Sequence, residues 1–242
     1  MLNVGWCDNT WNIIQIKVNE DNPFYLSQNN MIICRKSSNN SDVYDIITFT
    51  SRIIELIQIP SYVKQIDSCT FQFCRNLKNV EFGPNSNLQI IGQKAFFGTS
   101  IEKITIPKHV TSINKYSFGE CQQLRSIEFE QNSELKTIGK CAFNLTSIEK
   151  ISIPSHVTLI DRYAFFKCTK LHTIDFGDNS ELAMIGIKAF GCSSIRSFSF
   201  PIHLNKICKG AFGCCKQLRT IIVPENSELQ IIEDSAFCCS SI

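Results

Sequence analysis

The sequence lacks several features that would assign it to a common functional class. It has no apolar run of about 18 residues that could span a bilayer, and its first residues lack the basic, apolar and small-residue succession of a signal peptide. Lysine and arginine number 24 against 22 acids, and neither sign runs in blocks. This distribution excludes the basic stripe typical of nucleic-acid and membrane-surface binding. We therefore expect a soluble protein that stays where it is made.

Catalytic motifs are also missing. No GxSxG, HExxH, P-loop or GxGxxG spacing occurs, and the 22 carboxylates are dispersed along the chain. An enzyme needs one constellation of residues that differs from its surroundings, whereas this chain repeats itself. We expect no catalytic residues, no cofactor and no metal site.

What the sequence has instead is an internal repeat, written four times from Arg52 onward. In steps of 47 residues, isoleucines, prolines and phenylalanines fall into columns without a gap. Such self-similarity indicates a solenoid, because no single repeat can bury its apolar face alone. The columns are Ile54, Ile101, Ile148, Ile195 and Ile242; Pro60, Pro107, Pro154 and Pro201; and Phe71, Phe118, Phe165 and Phe212.

Each unit divides into two coils, of 23 and 24 residues, and both coils begin with an apolar pattern spaced LxxIxF. Ile101, Ile104 and Ile106 fill this pattern in one coil. Alternation over its last three positions predicts a β-strand, and we expect no long helix in any coil. The expected strands lie near residues 56–59, 79–82, 103–106, 126–129, 150–153, 173–176, 197–200 and 220–223.

Residues 1–51 depart from the repeat, and we interpret them as a divergent N-terminal coil or cap ahead of an eight-coil solenoid at 52–242. Two β-rich runs, Met31 to Cys34 and Val43 to Phe49, flank a polar loop and predict a β-hairpin. Terminal repeats are often atypical because the open end of a stack must be made soluble. The tryptophans expected to cover that end are Trp6 and Trp11.

Thirteen cysteines is a high count, and its oddness excludes a fully paired disulfide framework. Six stand three residues before a coil anchor, where a free cysteine acts as a small buried hydrophobe. The alternative is a zinc or disulfide site. Stacked coils lie about 4.8 Å apart, within disulfide reach, but parallel side chains orient poorly for an S–S bond. The six are Cys74, Cys121, Cys168, Cys192, Cys215 and Cys239.

Two further columns recur along the repeat, one of phenylalanines and one of histidines. Phenylalanines recur once per coil, and we predict that they are buried beside the cysteines. Three histidines recur only every second coil and so lie about 10 Å apart. Ligands of one zinc ion lie within about 2.1 Å of the metal, so this column cannot share an ion. The residues are Phe96, Phe118, Phe143, Phe165, Phe190 and Phe212, and His109, His156 and His203.

The motif IxxIxIPxxVxxIxxxxFxxC, filled by Ile101 to Cys121 and by Ile148 to Cys168, resembles the leucine-rich repeat of the BspA-like proteins of parasitic protists and host-associated bacteria. The resemblance covers residues 52–242. It implies a right-handed solenoid with a parallel β-sheet on its concave face and short strands, turns and helical turns on its convex face. Such proteins are commonly described as surface antigens or adhesins that bind host or matrix proteins, and the family implies no catalytic residues.

The outward side of the concave strands is the surface that we expect to carry function. Neighbouring residues of a strand alternate faces, so polar residues between the buried positions point outward. One interpretation is a protein-recognition surface; the other is a ladder of cross-strand pairs, each worth about 0.2–1 kcal/mol. The candidate partner-binding residues are Glu81, Lys103, Thr105, Glu128, Lys150, Ser152 and Asp175.

The preferred function is a non-catalytic protein-binding module of adhesin or surface-antigen type, and the alternative is an intracellular scaffold or structural repeat protein. The resemblance favours a cell-surface location, whereas the missing signal peptide and anchor favour the cytoplasm. We expect no nucleic-acid partner. The apolar last coil ends at Ile242 without a polar cap. We therefore expect either a longer protein or a C-terminal face covered by a second copy or a partner.

Overall fold

The computed structural model describes residues 15–28, 32–36, 43–177 and 179–242. These residues form a parallel β-solenoid of about eight coils and contain no helix. The strands are β1 (Tyr25–Gln28), β2 (Ile32–Arg35), β3 (Ile46–Thr50), β4 (Leu56–Ile59), β5 (Gln65–Ile66), β6 (Asn79–Phe82), β7 (Ile90–Ile91), β8 (Lys103–Ile106), β9 (Ser112–Ile113), β10 (Ser126–Phe129), β11 (Thr137–Ile138), β12 (Lys150–Ser152), β13 (Leu159–Ile160), β14 (Thr173–Asp175), β15 (Met184–Ile185), β16 (Ser197–Ser199), β17 (Lys206–Ile207), β18 (Thr220–Ile222) and β19 (Ile231–Ile232).

The eight strands predicted from the LxxIxF pattern are all present, as the even-numbered strands β4 to β18. Their parallel ladder runs most completely within each 47-residue unit, as in β8 and β10, where four residue pairs are in register. Between units the ladder opens. A single pair, Ser126 with Lys150, joins β10 to β12, and among the described residues no pairing joins β6 to β8 or β14 to β16. The outward side of these eight strands is called the long-strand face below.

A second sheet runs along the solenoid, and only its hairpin strands β2 and β3 were expected from the sequence. It consists of the two-residue strands β5 to β19 with odd numbers, one per coil, and it continues into β3, β2 and β1. The second residue of each central strand is fully buried, as Ile113, Ile138 and Ile160 show. Each coil therefore contributes a strand to this continuous ladder, which fixes its position on the previous coil.

The phenylalanine column is confirmed as the centre of the core. All six predicted phenylalanines are fully buried, and consecutive rings stack nearly parallel. Phe143 lies 5.4 Å from Phe118 and 5.3 Å from Phe165, measured between ring centroids. The column begins at Phe71 and ends at Phe237. One ring per coil thus makes a continuous aromatic stack along the solenoid.

Left-handed backbone conformations lie on both sides of every stacked phenylalanine, two residues before and two residues after it. Around Phe118 they are Tyr116 and Glu120, both with a φ of 58°. Such a conformation costs a non-glycine residue about 1–2 kcal/mol. The inter-coil bonds compensate here, because the N–H groups of Tyr116 and Glu120 donate to Lys140 and Asn144 of the next coil, both at 2.9 Å.

Two of the six cysteines predicted to be buried are not: Cys192 is half-buried and Cys239 is exposed. The link from the core phenylalanine to the next anchor is one residue shorter in the 24-residue coil than in the 23-residue coil. In the 24-residue coil, the residue three positions before the next anchor is therefore the left-handed surface residue and not the buried one. The remaining four are buried, namely Cys74, Cys121, Cys168 and Cys215.

The buried column next to the phenylalanines in fact alternates thiols with hydroxyls. Thr146 Oγ1 lies 3.3 Å from Cys168 Sγ, and the Cys168 thiol donates to the carbonyl oxygen of Phe143 at 3.0 Å. Thr99 and Cys121 repeat the arrangement one unit earlier, at 3.2 Å. Burial raises the pKa of the Cys121 and Cys168 thiols to about 11. These thiols are structural hydrogen-bond donors with little nucleophilic thiolate.

At the N-terminal side, β1 and β2 pair antiparallel, β2 and β3 pair antiparallel, and β3 pairs parallel with β5. The β2–β3 pair runs through the two β-rich runs of the expected hairpin, and β1 adds a strand to it. Trp6 and Trp11 lie outside the described residues. The division of the chain at residue 51 stays a prediction.

Candidate binding surface

The seven candidate partner-binding residues lie on the long-strand face, on β6, β8, β10, β12 and β14, and all are exposed. The alternation predicted from the sequence accounts for this, since Lys103 and Thr105 point outward on either side of the buried Ile104. The register places Thr105 beside Glu128 and Ser152 beside Asp175. The seven are Glu81, Lys103, Thr105, Glu128, Lys150, Ser152 and Asp175.

Neutral polar side chains, rather than lysines, contact two of the acids of this face. Gln58 Nε2 donates to Glu81 Oε2 at 3.1 Å, and the Ser152 hydroxyl lies 3.4 Å from Asp175 Oδ2. Among the described residues, the six ion pairs involve none of the seven candidates. These pairs are Arg35–Asp67, Lys64–Asp45, His109–Glu134, His156–Glu181, His203–Glu228 and Lys206–Glu233.

Two grooves cross the long-strand face where the ladder between units opens. The larger one, called the β10–β12 groove, has a volume of about 620 Å³ and is lined among others by Glu128, Glu130, Lys150, Ser152 and His156. Three of these five residues, Glu128, Lys150 and Ser152, were candidates from the sequence, whereas the groove itself arises from the separation of β10 and β12. The β10–β12 groove therefore has acids and a lysine around one depression.

A second groove of about 390 Å³ crosses β6, β8 and β10. Its lining includes Glu81, Lys103, Thr105 and Glu128. Glu128 therefore borders both grooves, and it lies at the centre of the candidate surface.

Each histidine of the column contacts a glutamate of the next coil. His156 Nδ1 lies 2.9 Å from Glu181 Oε1 of the next coil, and His109 and His203 make the same contact with Glu134 and Glu228. The sequence contains a sign of this histidine–glutamate contact, because the three glutamates also recur every 47 residues, 25 residues after each histidine. Among the described residues, no group of three or more His, Cys, Asp or Glu side chains is placed to hold a metal ion.

The C-terminal end of the described solenoid exposes apolar side chains from both ladders. Strand β18 pairs only with β16, and β19 pairs only with β17. Phe237 covers one side of the Phe212 ring and has no further ring beyond it among the described residues. The exposed large apolar residues of this end are Ile222, Val223, Ile231, Ile232 and Ile242.

The repeat spacing, the paired coils and the stacked phenylalanines correspond to a known family. The family model for the BspA-type leucine-rich repeat region matches residues 46–144 and 136–242 and counts six copies. The chain belongs to the BspA-type leucine-rich repeat family. No helix able to span a membrane is found in the part of this BspA-type chain that the structure describes.

Solved structures share the BspA-type fold. A leucine-rich repeat protein from Eubacterium ventriosum superposes with a TM-score of 0.69 at 24% identity, over 99% of this chain and 56% of that one. A leucine-rich repeat protein from Bacteroides ovatus gives a TM-score of 0.51 at 17% identity, over 75% of this chain and 65% of that one. The chain thus spans less than two thirds of either protein, and the likeness shows the fold alone. No curated protein sequence matches the chain.

Proposed function

We propose that this chain is a non-catalytic protein-binding module, of adhesin or surface-antigen type, that contacts another protein through the long-strand face. The observation that carries the proposal is the charge arrangement around the β10–β12 groove, where Glu128 and Lys150 are exposed and engaged in no ion pair of the described residues. Charges held in internal pairs would favour a purely structural ladder. Charges directed to solvent are available to a partner.

Mixed charge on this face favours a specific protein partner. Complementary charges across an interface steer association and exclude wrong partners. The acids Glu81, Glu128 and Asp175 lie on alternate coils, with Lys103 and Lys150 between them, so the pattern repeats along the solenoid axis. An extended or repetitive protein, such as a host or matrix protein, can match several periods of this pattern at once.

An intracellular scaffold is the alternative function, and a localisation experiment separates the two. Antibodies against the chain should label intact cells that produce the protein, if it acts as an adhesin or surface antigen. Labelling that requires permeabilised cells would contradict the surface role and favour the scaffold.

Lys150→Glu should weaken binding to the partner by about tenfold or more, equivalent to 1.4 kcal/mol, because a reversed charge opposes the complementary one. The partner is first selected from a panel of purified extracellular-matrix proteins by surface plasmon resonance at physiological salt. The matched control is Lys136→Glu, which reverses an exposed lysine beside β11, in the other sheet, and should leave affinity unchanged.

Equal losses from Lys150→Glu and Lys136→Glu would show that binding follows net charge and not the long-strand face. An unchanged affinity in both variants would place the partner elsewhere on the molecule. Either result contradicts the proposal.

We further propose that a second copy of the chain covers the apolar edge that β18 and β19 expose at this end of the described solenoid, because unpaired apolar strand edges template association. Light scattering after size exclusion should give a mass above the 27.5 kDa of the monomer at high protein concentration. Ile232→Lys should restore the monomer, whereas Ile187→Lys, which changes an exposed isoleucine away from that end, should not. A wild-type chain that stays monomeric and binds little hydrophobic dye would refute the self-association.

A further inference from the structure

Three consecutive coils carry a cysteine at the left-handed position that follows the core phenylalanine. Cys192, Cys214 and Cys239 have φ angles of 59°, 58° and 57°. In the five earlier coils this position holds other residue types. The residues at this position in the earlier coils are Phe73, Gly98, Glu120, Leu145 and Lys167. A run of thiols in this surface column therefore occurs only toward the C-terminal end of the described solenoid.

The backbone holds these cysteines on neighbouring coils. The N–H group of Cys192 donates to the Gly213 carbonyl at 2.8 Å, and that of Cys214 donates to the Cys238 carbonyl at 2.7 Å. Adjacent strands of a ladder lie about 4.8 Å apart, which falls within the Cα separation of about 4.4–6.8 Å that a disulfide bridges. Neighbouring thiols of the column are thus within bonding reach without unfolding of a coil.

Accessibility distinguishes one pair within the column. Cys214 and Cys239 are exposed, whereas Cys192 is half-buried. Cys238 is exposed as well, and its sulfur lies 3.2 Å from the point that a Cβ atom on Gly213 would occupy. A reagent in solution reaches Cys214 and Cys239 from the same side of the solenoid.

Electrostatic coupling indicates that these thiols interact. The charge of Cys214, followed by that of Cys238, raises the pKa of the Cys239 thiol. Desolvation raises the pKa of Cys192, with a further contribution from Cys214, while Lys167 and Lys188 oppose the increase. Cys214 therefore acts on both neighbours in the column, which places it at the centre of the group.

We propose that Cys214 and Cys239 form a reversible modification site, at which a low-molecular-weight disulfide oxidises the two thiols to an intrachain disulfide that links the last two coils. The thiolate of Cys214 attacks one sulfur of the reagent and forms a mixed disulfide, which releases one small thiol. The thiolate of Cys239 then attacks the Cys214 sulfur and displaces the second small thiol. The two protons lost by the protein are taken up by the two released thiolates, so one reagent disulfide is reduced for each protein disulfide formed.

The resulting bond should be labile. Both sulfurs are on exposed residues, so a small thiolate reaches the bond and reduces it. The buried thiols Cys121 and Cys168, whose pKa is about 11, should not react under the same native conditions.

The test treats the full reduced chain with oxidised glutathione, alkylates the remaining thiols and maps tryptic peptides by mass spectrometry. We expect one intrachain cross-link between peptides 210–216 and 220–242, which disappears when reduced glutathione is in excess. Cys214→Ser and Cys239→Ser should each abolish the cross-link. The matched controls Cys215→Ser and Cys238→Ser change the neighbouring cysteine of the same peptides and should retain it.

Several outcomes would overturn the proposal. A cross-link that survives Cys214→Ser, a bond within the Cys238–Cys239 doublet or a bond from Cys192 to Cys214 would assign the site to other thiols. Glutathione adducts without a cross-link would show that the coils hold the two sulfurs apart. Disulfide-linked dimers would show that the thiols react between chains.

Discussion

Replacing Phe143 with alanine is expected to lower the free energy of unfolding by about 3–5 kcal/mol. The side chain is fully buried, and its ring stacks on both Phe118 and Phe165. Its removal leaves a cavity that neighbouring coils cannot fill, since the short strand of this coil, β11, pairs with β9 and β13 on either side. Urea unfolding followed by far-UV circular dichroism measures the loss.

The matched control for this substitution is Phe24→Ala, which removes the same atoms from a side chain that is 56% exposed. It should change stability by less than about 1 kcal/mol. Hydrogen exchange adds a local measurement, because the Phe143 N–H group donates to Ala164 and the Phe118 N–H group donates to Ala142. These amides should lose protection in the Phe143 variant. A loss of stability as small as that of the control would show that the column is not the core.

The sequence predicts the phenylalanine core well because one residue type repeats at one spacing. Phe118 and Phe165 recur every 47 residues without an insertion, and a core position that is repeated must be buried by its own neighbours in the stack. The long strands are equally predictable, since Ile104 and Ile106 alternate with the polar Lys103 and Thr105. Period-two alternation leaves one face buried and the other exposed.

The second sheet could not be predicted in the same way. Its odd-numbered strands from β5 to β19 are two residues long, which is too short for an alternation to be recognised. Cys192 and Cys239 were assigned to the buried column for a different reason. Whether a residue falls in that column depends on whether its position is counted from the core phenylalanine or from the next anchor. Counting forward from Phe190 and Phe237, instead of back from the next anchor, would have separated them from the buried cysteines and revealed the hydroxyls of Thr99 and Thr146.

The candidate surface was predicted only as a list of exposed residues. Its grooves depend on the opening of the ladder between units, seen at Ser126 and Lys150. This opening coincides with the shorter link at the end of the 24-residue coil, and neither local propensity nor charge pattern reports it. Residues such as Glu130 and His156 therefore join the β10–β12 groove without having been candidates.

Replacing Ile138 with alanine is expected to lower the free energy of unfolding by about 2–5 kcal/mol. Ile138 is the second residue of β11 and is fully buried, with Ile113 and Ile160 beside it in the neighbouring short strands. If the second sheet holds the coils together as the long strands do, a cavity there is as costly as in a conventional core. Urea unfolding measures the change at a concentration where light scattering shows a monomer.

The control comes from the same column of the repeat, at the second position of another short strand. Ile232 is the second residue of β19 and is 53% exposed, so Ile232→Ala removes the same atoms with little loss of packing. It should cost less than about 1 kcal/mol. Neither substitution alters the main-chain ladder, in which Ile138 pairs with Ile113 and Ile160 while Ile232 pairs with Ile207. Equal losses from the two substitutions would mean that strand propensity, and not burial, determines the stability of the second sheet.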